Sequence, residues 1–124
     1  MARQVLEDEQ LPVDEINIIL TGDAYLRTLH RDFLKDDTFT DVITFDLSDP
    51  GAKETSGEIY ISADRANIHA AEFAVPLRQE IARLIIHGIL HLKGYDDHTE
   101  NNRRQMRARE DFYLEKYAGL LTML

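Results

Sequence analysis

Cysteine and tryptophan are both absent from the 124 residues, and proline (3) and glycine (6) are sparse. Without cysteine there are no disulfides, no thiolate metal sites and no cysteine nucleophile. That composition fits a reducing cytoplasm. No apolar run approaches the roughly 20 residues that span a bilayer. The opening "MARQVLEDEQLPVDE" lacks the basic-then-apolar order of a signal peptide, so no membrane association is expected. Basic residues are also few: 14 Lys and Arg stand against 23 Asp and Glu, for a net charge of -9. Bulk charge therefore argues against general nucleic-acid binding, and DNA is not an expected partner. A local basic groove stays open, because phosphate contacts act within a Debye length of about 8 Å. A bound divalent cation would also reverse the local sign. The 44% hydrophobic and 30% charged composition is that of a globular chain, and the length suits one domain over residues 1–124.

The periodicity alternates between strand and helix without a strict repeat. "ARQVLEDE" reads as a short helix or a helix remnant, ending at the turn-rich "QLPVDE". "INIIL" (16–20) is β-branched and apolar, which predicts a buried strand. "TGDAYLRTLHRDFL" has helical spacing at Tyr25, Leu26, Leu29 and Phe33, with Thr21 or Asp23 as cap. "TDVITFDL" and "GEIYIS" are two more strands, the second placing Ile59 and Ile61 on one face. "SADRANIHAAEFAV" is helical, with Ser62 as cap. "PLRQEIARLIIHGILHLKG" is a long helix with Leu77, Ile81, Leu84, Ile85, Ile89 and Leu92 on its apolar stripe, opened by Pro76 and stopped by Gly94. From Thr99 a last amphipathic helix carries Met106, Phe112, Leu114 and Tyr117. The expected fold class is α+β: a small mixed sheet packed with several helices.

The chemistry concentrates in "HGILHLKGYDDH", residues 87–98. Residues four apart share a helix face, so His87 and His91 can hold one transition-metal ion without distorting the helix. Gly94 lets the chain turn back, returning Asp96, Asp97 and His98 towards the two imidazoles. Three protein ligands and one open position describe a catalytic zinc. The spacing is that of an HExxH zinc motif, but Gly88 stands where that motif has its glutamate general base. His30 and His69 stand alone and read as surface or satisfied core residues.

The same segment resembles the His-Gly-x-Leu-His-Leu-x-Gly-Tyr-Asp-His signature of the YbeY family, the bacterial rRNA maturation endoribonucleases. "TDVITFDL" is similar to the family's Thr-Asn/Asp-Val-Leu/Ile-Ser/Thr-Phe block, "GEIYIS" to its Gly-Asp/Glu-Ile-x-Ile strand, and "MRAREDFYLEK" to its acidic C-terminal helix. Together these cover most of residues 16–117 in order. The resemblance implies a single-domain, zinc-dependent endoribonuclease acting on single-stranded RNA. It implies a role in 3′-end maturation of 16S rRNA and in ribosome quality control, in the cytoplasm, with the small ribosomal subunit and its proteins as partners. It also places the metal at the C-terminal end of the long central helix.

Carried over residue by residue, the metal ligands are His87, His91 and Asp97, since Asp97 occupies the place of the family's third histidine. His98, one residue later, is the rival third ligand, or a partner orienting Asp97. A His2Asp set suits Zn2+ and is also open to other divalent ions. The position of a family arginine falls on Leu34, with Lys35 beside it and Arg31 a turn earlier as candidates for its positive charge. Arg65 and Lys93 are candidates for the RNA backbone on charge alone. "RRQMRAR" is either a basic face for rRNA or a ribosomal protein, or a solvated helix face. Few aromatics are obvious for base stacking, so sequence preference is expected to come from RNA shape or from the ribosome. At the start, the family's first strand and part of its first helix are expected to be missing or shortened, leaving an exposed sheet edge. Two other classes compete: a metal-dependent protease or other hydrolase, and a non-catalytic ribosome-assembly factor with a structural metal.

Overall fold

β3 (Thr55–Ser62) is the middle of a three-stranded sheet, parallel to β1 (Val13–Thr21) and antiparallel to β2 (Val42–Asp46). The structure, a computed structural model, describes residues 1–121. Around the sheet lie α1 (Ala2–Asp8), α2 (Asp23–Leu34), α3 (Ala63–Phe73), α4 (Leu77–Lys93), α5 (Glu100–Lys116) and α6 (Ala118–Leu121). The fold is α+β with a mixed sheet, as expected. Among the described residues no helix is long and apolar enough to cross a membrane.

The sheet packs on α4: β3 turns Gly57, Ile59 and Ile61 inward, with Gly88 of α4 against Ile59 and Leu92 of α4 against Gly57. Ile59 and Ile61 are fully buried, each such side chain worth roughly 1.5–3 kcal/mol. The approach is close. A Cβ on Gly88 would lie 2.8 Å from Ile59, and one on Gly57 would lie 2.9 Å from the Phe45 carbonyl and 3.1 Å from Leu92. Both glycines are spacers that let helix and strand touch.

Three local expectations change in the structure. "INIIL" lies in β1, which is an edge strand, so Ile18 and Leu20 are exposed instead of buried; neighbours on both sides, not composition, bury a strand. α4 is buried almost all round: Ala82, Ile86 and Leu90 join Leu84, Ile89 and Leu92 in the core, while Leu77 is exposed. A helix surrounded by other elements has no polar face to protect. On α5 the inward aromatic is Tyr113, fully buried, and Phe112 faces out. The caps divide similarly. Ser62 Oγ accepts from the Arg65 amide at 3.1 Å and Thr99 Oγ1 from the Asn102 amide at 3.0 Å. At α2, however, Gly22 takes the N-cap position and neither Thr21 nor Asp23 caps it.

Candidate metal centre

The C-terminus of α4 builds the site. Gly94 adopts a left-handed conformation (φ 117°) that most side chains avoid, and its amide donates to the His91 carbonyl while that of Tyr95 donates to Leu90. This reversal brings the Tyr95 carbonyl to His91 Nδ1, 3.1 Å away. The loop is then locked in turn. Asp96 Oδ1 accepts from the His98 amide (3.1 Å) and from Asn102 Nδ2 (2.7 Å), and Arg103 Nη1 donates to the Asp97 carbonyl at 3.2 Å. With its backbone so held, Asp97 places Oδ2 3.7 Å from Nε2 of both His87 and His91.

Hydrogen bonding sets the imidazole tautomers. Nδ1 of His87 lies 2.8 Å from Glu110 Oε2, and Nδ1 of His91 faces a carbonyl. Both partners are acceptors, so both Nδ1 atoms carry the proton and both Nε2 atoms keep lone pairs. Those two Nε2 atoms are 3.0 Å apart. Two lone pairs and a carboxylate oxygen thus converge on one point, an arrangement that a cation satisfies. The centre of the three atoms, in their own plane, is about 2.0 Å from each, taken from the 3.0, 3.7 and 3.7 Å separations, so the three donors are close enough together to share one ion. Among the described residues, His87, His91 and Asp97 are the His and carboxylate group whose donor atoms all lie within 4.8 Å of one another. Electrostatics differ at the two rings. Burial pulls His87 down, but the hydrogen bond and charge of Glu110, with Asp97 and Asp41 behind, carry it above its ordinary value. Burial and the neighbouring His87 hold His91 below its own.

A family model described as "Endoribonuclease YbeY" matches residues 1–118. The chain belongs to the endoribonuclease YbeY family. It is 42% identical over 114 residues to the endoribonuclease YbeY of Chlorobium limicola, covering 92% of this chain and 78% of that one. To the endoribonuclease YbeY of Flavobacterium psychrophilum it is 40% identical over 113 residues, covering 91% and 79%. It also matches the solution structure of a Thermotoga maritima protein with a TM-score of 0.68 and 30% identity, covering 98% of this chain and 79% of that one.

Within this YbeY-family chain, the other predicted residues fall in different places. His98 is exposed on the wall of the groove beside the triad, outside the three-donor group. Leu34 lines the same groove. Lys35 turns back to the Asp32 carbonyl (3.5 Å) and Arg31 pairs with the Asp32 carboxylate (3.1 Å), so neither lines a cleft bordering the triad. Arg65 is held by Asp23 at 3.2 Å, and Lys93 lies behind the Gly94 turn. His30 is satisfied by the Thr38 carbonyl at 3.0 Å. His69 lines the second cleft bordering the triad, 3.6 Å from Asp41 and 3.8 Å from the buried Glu80, whose carboxyl burial pushes up.

From sequence, Glu110 is taken only as a counter-charge to the basic run of a solvated helix face, and Arg83 is missed altogether. Glu110 is 4% exposed, orients His87, and is itself held by Arg83 Nη1 at 3.1 Å; the same guanidinium reaches Asp111 at 2.6 Å. A signal existed: Glu110 falls on the stripe of Met106, Tyr113 and Leu114, and an acid on a buried stripe needs a partner. The same argument marks Glu80 among the buried residues of α4. Gly88 counts against one competitor. The helix has glycine where an HExxH motif has its glutamate, and a side chain there would press on Ile59, 2.8 Å from its Cβ.

Proposed function

We propose that this chain is a metal-dependent endoribonuclease that hydrolyses phosphodiester bonds of single-stranded RNA, with His87, His91 and Asp97 as the metal ligands and residues 1–124 as one domain. The convergence of two imidazole Nε2 atoms and one carboxylate oxygen carries the reading. Zinc fits the donor set, since imidazole and carboxylate ligands suit it and three of them would leave a position open. The chemistry such an ion supplies is Lewis-acid activation of water and neutralisation of charge on a phosphoryl oxygen.

The protein's own part is positioning. Arg83 holds Glu110, Glu110 fixes the His87 tautomer and ring plane, and the Tyr95 carbonyl does the same for His91. Partners of this kind are worth about 10–100-fold in metal affinity. Hydrolysis forms a new bond from water oxygen to phosphorus, breaks the bond to the leaving ribose oxygen and delivers a proton of the water to that oxygen, and the pre-set ligands need no rearrangement as charge develops. The relatives named endoribonuclease YbeY support this chemistry over peptide cleavage. Maturation of the 16S rRNA 3′ end and ribosome quality control, in the cytoplasm with the small ribosomal subunit and its proteins, is the biological setting that follows from the family resemblance. DNA and membranes are not expected partners.

The test is metal content and RNA cleavage for wild type, Asp97→Ala and His98→Ala. The expected result is one zinc per chain in wild type and in His98→Ala, and loss of both metal and cleavage in Asp97→Ala. Retention in Asp97→Ala with loss in His98→Ala would hand the ligand role to His98. A folded wild type that takes up no divalent metal would overturn the reading.

A further inference from the structure

Two clefts flank the triad, and their charges differ. The groove towards α2 and β2 is lined by Asp41, Asp46 and Asp97 and by no lysine or arginine. The cleft between the C-terminal end of α3, α4 and α5 has acids on its floor and arginines on its rim. Asp41 and Asp97 border both clefts, so the difference lies in the arginines: here Glu80 and Glu110 are buried, with Glu110 committed to Arg83 and His87, whereas Arg103 and Arg107 are exposed. Neither rim arginine makes a carboxylate ion pair among the described residues. Arg103 donates to the Asp97 backbone carbonyl, and Arg107 lies over the Phe73 ring with its guanidinium carbon 5.8 Å from the centroid. Most of their cationic neighbours are spent: Arg83, Arg104 and Arg109 all pair with acids. Phe73, 52% exposed at the end of α3, lines this cleft and is one of the few aromatics placed for stacking.

We propose that this cleft is the strand-binding subsite for the nucleotide next to the scissile phosphate, with Arg103 and Arg107 holding the RNA backbone and Phe73 stacking on a base. The proposal rests on the endoribonuclease reading and names how its substrate is held. Arg103 and Arg107 stand one helical turn apart, with Cβ atoms about 6 Å from each other, so both face one strand. His87 and Asp97 line the same cleft, which connects strand to reaction centre. Its volume, about 290 Å³, is at the lower end for small-ligand sites and admits a single unstacked nucleotide rather than a duplex. Stacking is sequence-tolerant because every base has a π-face. This is also how a chain of net charge -9 can accept a polyanion: the two unpaired cations sit where the strand must pass.

The experiment measures binding of a fluorescent single-stranded oligoribonucleotide by anisotropy across a salt series, and cleavage of the same oligonucleotide, for the zinc-loaded protein. The variants are Arg103→Ala, Arg107→Ala, Phe73→Ala, Phe73→Leu and Arg104→Ala. Each cleft arginine removed is expected to weaken binding several-fold and to lower the slope of log affinity against log salt by about 0.7. Phe73→Ala is expected to weaken binding about tenfold, and Phe73→Leu, which keeps the apolar bulk without a ring, to behave like it. Arg104→Ala removes the same charge from the same helix outside the cleft and is expected to leave binding as in wild type. Equal losses from Arg104→Ala and Arg107→Ala, or wild-type binding by the cleft variants of a chain that cleaves RNA, would overturn the subsite. A wild type that binds through the cleft but cleaves nothing would overturn the nuclease reading and leave the subsite standing.

Discussion

Replacing Gly88 by alanine separates local propensity from tertiary packing. In an isolated helix the change is favourable by about 1 kcal/mol. Here the new Cβ would lie 2.8, 2.8 and 2.9 Å from Cδ1, Cγ2 and Cγ1 of Ile59. Favourable carbon–carbon contacts are about 3.5–4.0 Å, so the deficit approaches 1 Å on three atoms at once. Ile59 cannot swing away, because it is fully buried in the central strand and β-branched side chains are stiff at χ1. Overpacking of this kind costs about 1–3 kcal/mol, so after the propensity gain the net expectation is destabilisation by about 0–2 kcal/mol. For a chain of this length that lowers Tm by up to roughly 8 °C. Thermal and denaturant unfolding of wild type, Gly88→Ala, Ile59→Ala and the double variant would measure it. Ile59→Ala alone is expected to cost about 2–5 kcal/mol, and the double variant to lose clearly less than the two single losses combined, because each substitution relieves the other. A Gly88→Ala protein that melts above wild type, by the helix propensity alone, would refute the packing argument.

Glu110→Ala leaves His87 Nδ1 and Arg83 Nη1 without their carboxylate and is expected to weaken zinc binding about 10–100-fold; competition with a chromophoric chelator reads this, and unchanged affinity would contradict the orienting role. Glu9 ties α1 to α5: its carboxylate accepts from Arg109 Nε at 3.0 Å and from the Tyr113 hydroxyl. Burial raises the Glu9 carboxyl, but the Tyr113, Arg109 and Tyr95 hydrogen bonds outweigh it and hold the group below its ordinary value of 4.5. The stabilisation is therefore complete above about pH 4.5 and is lost as pH falls through the lower folded value. Glu9→Gln is expected to cost about 1–3 kcal/mol at neutral pH, with the gap to wild type closing on acidification. Urea melts at stepped pH would show it, and a gap that widens towards acid would reverse the sign.

Much of the site was legible because it is local. His87, Gly88, His91 and Gly94 lie on one helix and its cap, where 3.6 residues per turn and one left-handed residue determine directions almost without help from the rest of the chain. Asp97 follows within a few residues, so its return to the helix end was a short-range inference. Ile59 and Ile61, alternating in a strand, were equally readable. Tertiary structure decided the rest. Whether "INIIL" was buried depended on which strand took the middle of the sheet, and β3 took it. Which aromatic of α5 turned inward depended on α1, since Tyr113 is drawn to Glu9, a residue 104 positions away.

By itself, then, the amino-acid sequence determined the two helical imidazoles, the turn that follows them and the α+β class, because these arise from backbone periodicity and nearest-neighbour chemistry. Only the tertiary structure decided that Glu110 fixes the His87 tautomer, that Ile59 packs directly on Gly88, and that Arg103 and Arg107 meet Phe73 beside the triad. Those relations join elements far apart in the chain, and burial, hydrogen-bond satisfaction and close packing select them only when the elements come together.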